Sequence, residues 1–161
     1  MRLLMGSLIL LLTALLTSCA TSTTATVSPA LARFFLESTN EEGVRVTLPQ
    51  SGTEITVMPK PVFTEFDVRR VEIAEVDLGQ CLFFQLTPAA ARDLYRLSVS
   101  NPDQRLVLLI DERAMGARRM DRPMNDGALL VFVETPDEEL PSLTARLRKT
   151  AVEHERAARK L

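Results

Sequence analysis

Few side chains in this sequence are placed to do chemistry. His154 is the one histidine, and Cys19 and Cys81 are the two cysteines, among 161 residues. A nucleophilic thiol needs a base beside it. Cys81 lies in the strand-like run Gln80-Cys81-Leu82-Phe83-Phe84 and reads as a small buried hydrophobe. His154 lies in a charged tail and reads as part of a solvated helix end, so the two do not form a catalytic pair. A zinc site of the His/Cys type lacks ligands. The acidic groups Asp111-Glu112 and Asp137-Glu138-Glu139 have the types needed for an acid–base pair, but turn and helix-cap roles account for them. No catalytic, cofactor-binding or metal-binding residue emerges, and the chain reads as non-enzymatic, with no cofactor.

The remaining chemistry is electrostatic. Formal net charge is −2, which argues against a general nucleic-acid binder, since that needs a clearly basic face. The charge is uneven. Residues 19–143 carry 12 Lys/Arg against 19 Asp/Glu, whereas residues 143–161 carry six against two. Arg113, Arg118, Arg119 and Arg122 follow one another along one segment, and Arg156, Arg159 and Lys160 end the chain. These seven are the candidate contact surface, toward anionic lipid or an acidic partner. The plainer alternative is a charged strand edge and a helix C-terminus favouring cations.

Cys19 has its own context. Arg2 precedes the apolar run Leu8–Leu16, the layout of a signal sequence over residues 1–18. Leu16-Thr17-Ser18-Cys19 resembles the bacterial lipobox, in which the Cys thiol is acylated and the signal is cut before it. That implies a lipoprotein, with palmitate-like chains at Cys19 attaching it to a membrane. Each buried CH₂ contributes about 0.8 kcal/mol, so two or three chains hold firmly where one does not. Ala20 at the following position, in place of a retaining aspartate, points to the periplasmic face of the outer membrane of the cell envelope. Thr21–Ser28 is uncharged and rich in Thr and Ser, a tether reaching roughly 25 Å if extended.

Positioning these groups falls to an alternation of strands and helices. Ala30–Ser38 reads as an opening strand, and Gly43–Leu48 and Glu54–Met58 read as a hairpin about Gln50-Ser51-Gly52. Val68–Leu78 changes phase, which predicts a bulge near Ile73–Ala74, and Cys81–Leu86 returns beside it. Thr87-Pro88 opens a helix to about Ser98, with Ala90, Leu94 and Leu97 on its buried stripe. Arg105–Ile110 is nearly continuous in apolar residues and reads as a central strand. Asp111-Glu112 turns it into Arg113–Met120, a more exposed return, and Ala128–Glu134 is the last strand. Thr135-Pro136-Asp137-Glu138 fits a capping box, with Pro141 forcing a kink or a later start to a helix bearing Leu140, Leu143, Leu147 and Ala151. The expected fold is α+β, a small mostly antiparallel sheet with two helices packed on one face.

Four segments carry a family likeness. They are Met58-Pro59-Lys60-Pro61-Val62-Phe63-Thr64-Glu65-Phe66-Asp67-Val68, then Leu82–Leu97, then Leu106–Asp111, then Asp126-Gly127 through Leu147. Together they resemble the periplasmic head of the SecD protein-export subunit, also present in fused SecDF proteins. The departures are Asp111-Glu112 where the family commonly has Asp-Gly, and Gly116-Ala117-Arg118-Arg119 where a proline usually follows. The family's membrane spans have no counterpart here, so its proton-coupled action does not carry over. The resemblance implies a head that contacts polypeptide. The expected organisation is a lipoprotein signal peptide (1–18), a tether (19–29), a head-like domain (30–151) and a charged tail (152–161). The function expected first is a protein-binding module, linked to export, whose partner is an envelope protein or unfolded polypeptide and not nucleic acid. The alternative is a structural or assembly subunit of an envelope or transport complex.

Overall fold

The computed structural model describes residues 28–40 and 42–160. The signal sequence, Cys19 and most of the tether lie outside them. In chain order the elements are β1 (Ala32–Leu36), β2 (Val44–Thr47), β3 (Glu54–Val57), β4 (Val68–Val76), β5 (Gly79–Leu86), α1 (Pro88–Ser100), β6 (Arg105–Ile110), β7 (Arg113–Arg119), β8 (Ala128–Val131) and α2 (Leu140–Ala158). The fold is α+β with every ladder antiparallel, as the sequence implies.

The strands divide among three ladders instead of one sheet: β1-β6-β7, the hairpin β2-β3, and β4-β5-β8. Single bridges stitch them together, Phe34 to Phe63, Glu37 to Val57 and Gly116 to Val133. Arg105–Ile110 is the central strand of its ladder, as its apolar run requires. Its alternate side chains feed two cores. Leu106, Leu108 and Ile110 join Phe34, Phe84, Leu129, Leu94 and Leu147 in the main core, to which both helices contribute. The ring of Phe34 meets that of Phe84 edge-on at 5.2 Å, an arrangement aromatic pairs favour. Val107 points the other way, into a smaller core with Leu48, Ile55, Val57 and Ala114.

Local chemistry explains the boundaries. Thr87 Oγ accepts the Ala90 amide at 3.3 Å and Pro88 opens α1. Asp67 accepts both the Thr64 amide at 2.8 Å and the Thr64 hydroxyl at 3.1 Å, closing a short 3-10 turn before β4. Asp111 and Glu112 both have positive φ, +48° and +67°, as a two-residue hairpin of the primed type demands.

Three expectations are corrected. The β4–β5 irregularity falls between Val68 and Arg70, not at Ile73–Ala74. Val71 and Ile73 face the core, while Ala74 and Val76 sit on the opposite face without any shift. The capping box before α2 is absent: Thr135 donates to Glu139 at 3.0 Å, a 3-10 turn spans Asp137–Glu139, and the helix starts at Leu140 with Pro141 in its first turn. Strand β8 ends at Val131, short of Glu134. Beside the buried β6, β7 is the more exposed return, with Arg113 and Arg119 exposed. Ala114 and Gly116 are buried, and a Cβ on Gly116 would lie 2.2 Å from the Phe132 carbonyl oxygen. Only glycine lets the two backbones approach that closely. Helix α2 in turn lies along β4, where Arg148 Nε donates to the Val71 carbonyl at 2.8 Å and protects that strand's edge.

Candidate functional site

The surface most suited to a partner is built around the loop from Met120 to Gly127. Met120 is buried, and its amide donates to Gln104 O at 2.9 Å. The Met124 amide donates to Ser98 Oγ at 2.9 Å, so a serine buried in α1 holds the middle of the loop. Gly127 has φ +65° and packs against Ala91 of α1, where a Cβ would come within 2.6 Å of the alanine methyl. Gln85 on β5 donates to the carbonyls of Asp126 and Gly127 at 3.3 and 3.2 Å. A loop fixed at both ends and in the middle is preorganised, so binding against it costs little further ordering.

Between this loop and the sheet lies a groove of about 410 Å³. Its floor is Phe83 and Leu130, cross-strand partners on the face of β5-β8 opposite Phe84 and Leu129. Met124 adds apolar wall, Arg118 and Arg122 supply positive charge, and Asp126 supplies a negative one. Arg118 is half-buried. Its Nη2 lies 3.3 Å from Asp121, while its Nε is buried with no acceptor. Cys81 lies near the same arginine. Burial pushes its thiol above the ordinary value, with Arg118 opposing, so the thiol stays protonated and is a poor nucleophile.

The candidate arginines do not form one surface. Arg118 stands opposite Leu106 and Arg119 opposite Arg105, and successive strand residues face opposite sides. Arg119 is therefore turned away and pairs with Asp103 at 3.2 Å. Arg113 lines a separate cleft of about 360 Å³ with Asp111, Glu139 and Arg146. Arg156 lies in the last turn of α2, and Arg159, just beyond it, is tied to Glu155 at 2.6 Å. Lys160 follows past the helix end. Of the seven, only Arg118 and Arg122 converge. His154 is not a bare helix end: its ring packs 4.2 Å from that of Phe66.

Sequence reading missed the ion pairs that cross the fold. Glu65 is buried and takes a two-pronged bond from Arg33, Nε at 3.1 Å and Nη2 at 3.3 Å. Hydrogen bonding from Arg33 holds its carboxyl below the usual range despite burial. Glu37 takes the Arg105 amide at 2.9 Å and Arg105 Nε at 3.0 Å, and the Arg105 side chain lowers it likewise. Asp111 accepts the Leu31 amide at 2.9 Å and Arg146 Nη2 at 2.6 Å, and Thr150 donates to the Ala30 carbonyl at 2.7 Å. These bonds fasten the start of β1 to α2. They are structural clamps, not paired acids. Among the described residues, no cluster of three or more His, Cys, Asp or Glu side chains has metal-site geometry, and no helix is long and apolar enough to cross a membrane.

No protein-family model matches the sequence, and no curated protein matches it. Solved structures of SecDF do. One, described as a membrane component that enhances protein export, superposes with a TM-score of 0.59 at 16% identity, covering 76% of this chain and 63% of that one. A super-membrane-facing form of SecDF gives 0.61 at 17% identity, covering 76% and 19%. SecDF of Thermus thermophilus, described as a translocon-associated membrane protein, gives 0.52 at 15% identity, covering 78% and 20%. The chain thus spans less than two thirds of each of these proteins. What is shared at such identity is the fold, a small α+β domain of the SecD head type. The outer-membrane placement drawn from Ala20 is corrected by the same finding. The structures sharing this fold belong to a translocon-associated membrane protein, not to an outer-membrane lipoprotein.

Proposed function

We propose that this chain is a non-enzymatic assembly subunit of a membrane-bound transport complex, a SecD-head-like domain that presents the Arg118–Arg122 groove to a partner protein. The observation that carries the reading is the preorganised groove, part apolar and part charged, with two arginines against one aspartate, on a fold found in a membrane component described as enhancing protein export. Lipid on Cys19 would hold the chain at a membrane. Residues 19–29 would act as tether, 30–151 as the domain and 152–161 as a charged extension. Direct capture of polypeptide in export is the second reading, favoured by the export role described for the matched protein. Assembly is preferred because the matched structures are described as a membrane component and as a translocon-associated membrane protein.

Mild-detergent extraction followed by native gel and size-exclusion analysis of the full chain tests the assembly reading. Co-migration with one protein set at fixed stoichiometry is the expected result, and migration as a free monomer at native abundance overturns it. Labelling with a clickable palmitate analogue tests the anchor. Wild type should be labelled and Cys19→Ser should not, and equal label on both refutes lipidation.

A further inference from the structure

The groove does not end at Arg122. Asn125 borders both it and a shallower depression on α1 lined by Arg92, Tyr95 and Arg96. Tyr95 is 47% exposed and Val99, one turn on, 51% exposed, both off the buried stripe of that helix. Four arginines therefore line one continuous belt. Arg96 lies 3.5 Å from Asp93 and Arg118 3.3 Å from Asp121, whereas Arg92 and Arg122 are exposed and make no ion pair among the described residues.

We propose that this belt is the docking surface for an acidic, extended polypeptide segment of a partner protein, in which carboxylates alternate with apolar side chains. The inference rests on the protein-binding reading above and specifies the partner's chemistry. Charge complementarity selects it. Asp93, Asp121 and Asp126 border the belt's four arginines, so the belt is net positive by one charge on a body, residues 19–143, with 12 Lys/Arg against 19 Asp/Glu, and an acidic segment is favoured here over the rest of the surface. Guanidinium groups match carboxylates in a planar, two-pronged geometry, and the exposed Arg92 and Arg122 are not already engaged in ion pairs among the described residues. Phe83 and Leu130 in the groove and Tyr95 on the helix offer apolar and aromatic seats between the charges. A series of cations spread from sheet to helix suits several carboxylates along a chain better than a single chain terminus.

The test is fluorescence anisotropy of a short labelled peptide alternating Glu and Leu, titrated with the full chain in neutral detergent micelles. Binding should be clear at low ionic strength and weaken at physiological salt. The matching Gln/Leu peptide should bind at least about tenfold more weakly. Arg122→Ala and Arg92→Ala should each weaken binding about three- to tenfold, while Arg45→Ala, an exposed cation on β2, should not. Because Arg92 and Arg122 hold no ion pair, both variants should melt with the wild type. Arg122→Lys, which keeps the charge, should recover part of the affinity. Equal binding of the Glu and Gln peptides, equal losses from Arg45→Ala and Arg122→Ala, or no binding at low salt each overturns the proposal. Co-purification with a fixed partner set would survive that failure, so the assembly reading is judged separately.

Discussion

Adjacent residues of β6 enter two regions built on different principles. Leu108 enters a core closed by aromatic and aliphatic packing from both sheets and both helices. Val107 enters a smaller core beneath the β2-β3 hairpin. Polar staples reinforce that second region. Glu134 accepts the Gln50 amide at 2.7 Å, the Ser51 amide at 2.9 Å and the Ser51 hydroxyl at 2.6 Å, while Glu37 grips Arg105 beside it. Val44 on β2 is 52% exposed, while Leu48, Ile55 and Val57 of the hairpin supply three of the five buried residues of this smaller core. Apolar burial binds the main core as one cooperative unit, while a few charge-assisted bonds locate the hairpin and leave it the more separable part.

The contrast breaks first at the core. Leu108→Ala should cost about 2–5 kcal/mol and lower the denaturant midpoint for every probe together. Its neighbour Val107→Ala should cost less, about 1–2 kcal/mol, since it removes fewer buried carbons from a smaller cluster. Equal losses in denaturant melts would mean that the two cores are energetically one. Glu134→Gln should cost about 1 kcal/mol, and its signature is local. Amide exchange at Leu48 and Gly52, in the hairpin turn, should quicken while Phe84 stays protected. Uniform acceleration would dissolve the distinction.

Acid sharpens the comparison. Burial would raise the Glu134 carboxyl, but its bonds from Ser51 and Gln50 bring it below the usual range, and Glu37 and Glu65 are lowered by Arg105 and Arg33. A depressed carboxyl stabilises the fold above its unfolded value, and that contribution is lost as pH falls through the folded value. Stability should therefore hold at neutral pH and decline below the ordinary carboxylate value of about 4.5, continuing downward. Exchange in the β2-β3 hairpin should quicken before that of β5, and pH-independent exchange there would refute the staples. The smallest effect is a gain. Glu112 occupies a left-handed position that costs most residues about 1 kcal/mol, so Glu112→Gly should raise stability by about 0.5–1 kcal/mol in the same melts.

Much of the architecture follows from local pattern. The continuous apolar run Arg105–Ile110 had to be a central strand, Thr87-Pro88 had to open a helix, and Cys81 had to be buried, because periodicity and capping act within a few residues. The likeness of four segments to the SecD head anticipated the fold that the solved structures share. What tertiary structure alone decided is where distant residues meet. Periodicity cannot say that strands close into three ladders, since pairing partners are remote in sequence. The row Arg113 to Arg122 looked like one charged segment, yet alternation along β7 sends Arg119 away, and the loop after it folds Arg122 back toward Phe83 and Leu130. Arg118 and Arg122 were legible as candidate contact residues, and Tyr95, exposed off the buried stripe of α1, was a further sign. Glu65 and Arg33, 32 residues apart, become partners only once β1 and the turn before β4 are brought together by the burial of Phe34 and Phe63. Sequence sets which faces are apolar because that is a property of short spacing. The choice of neighbours across those faces is a property of the packed whole.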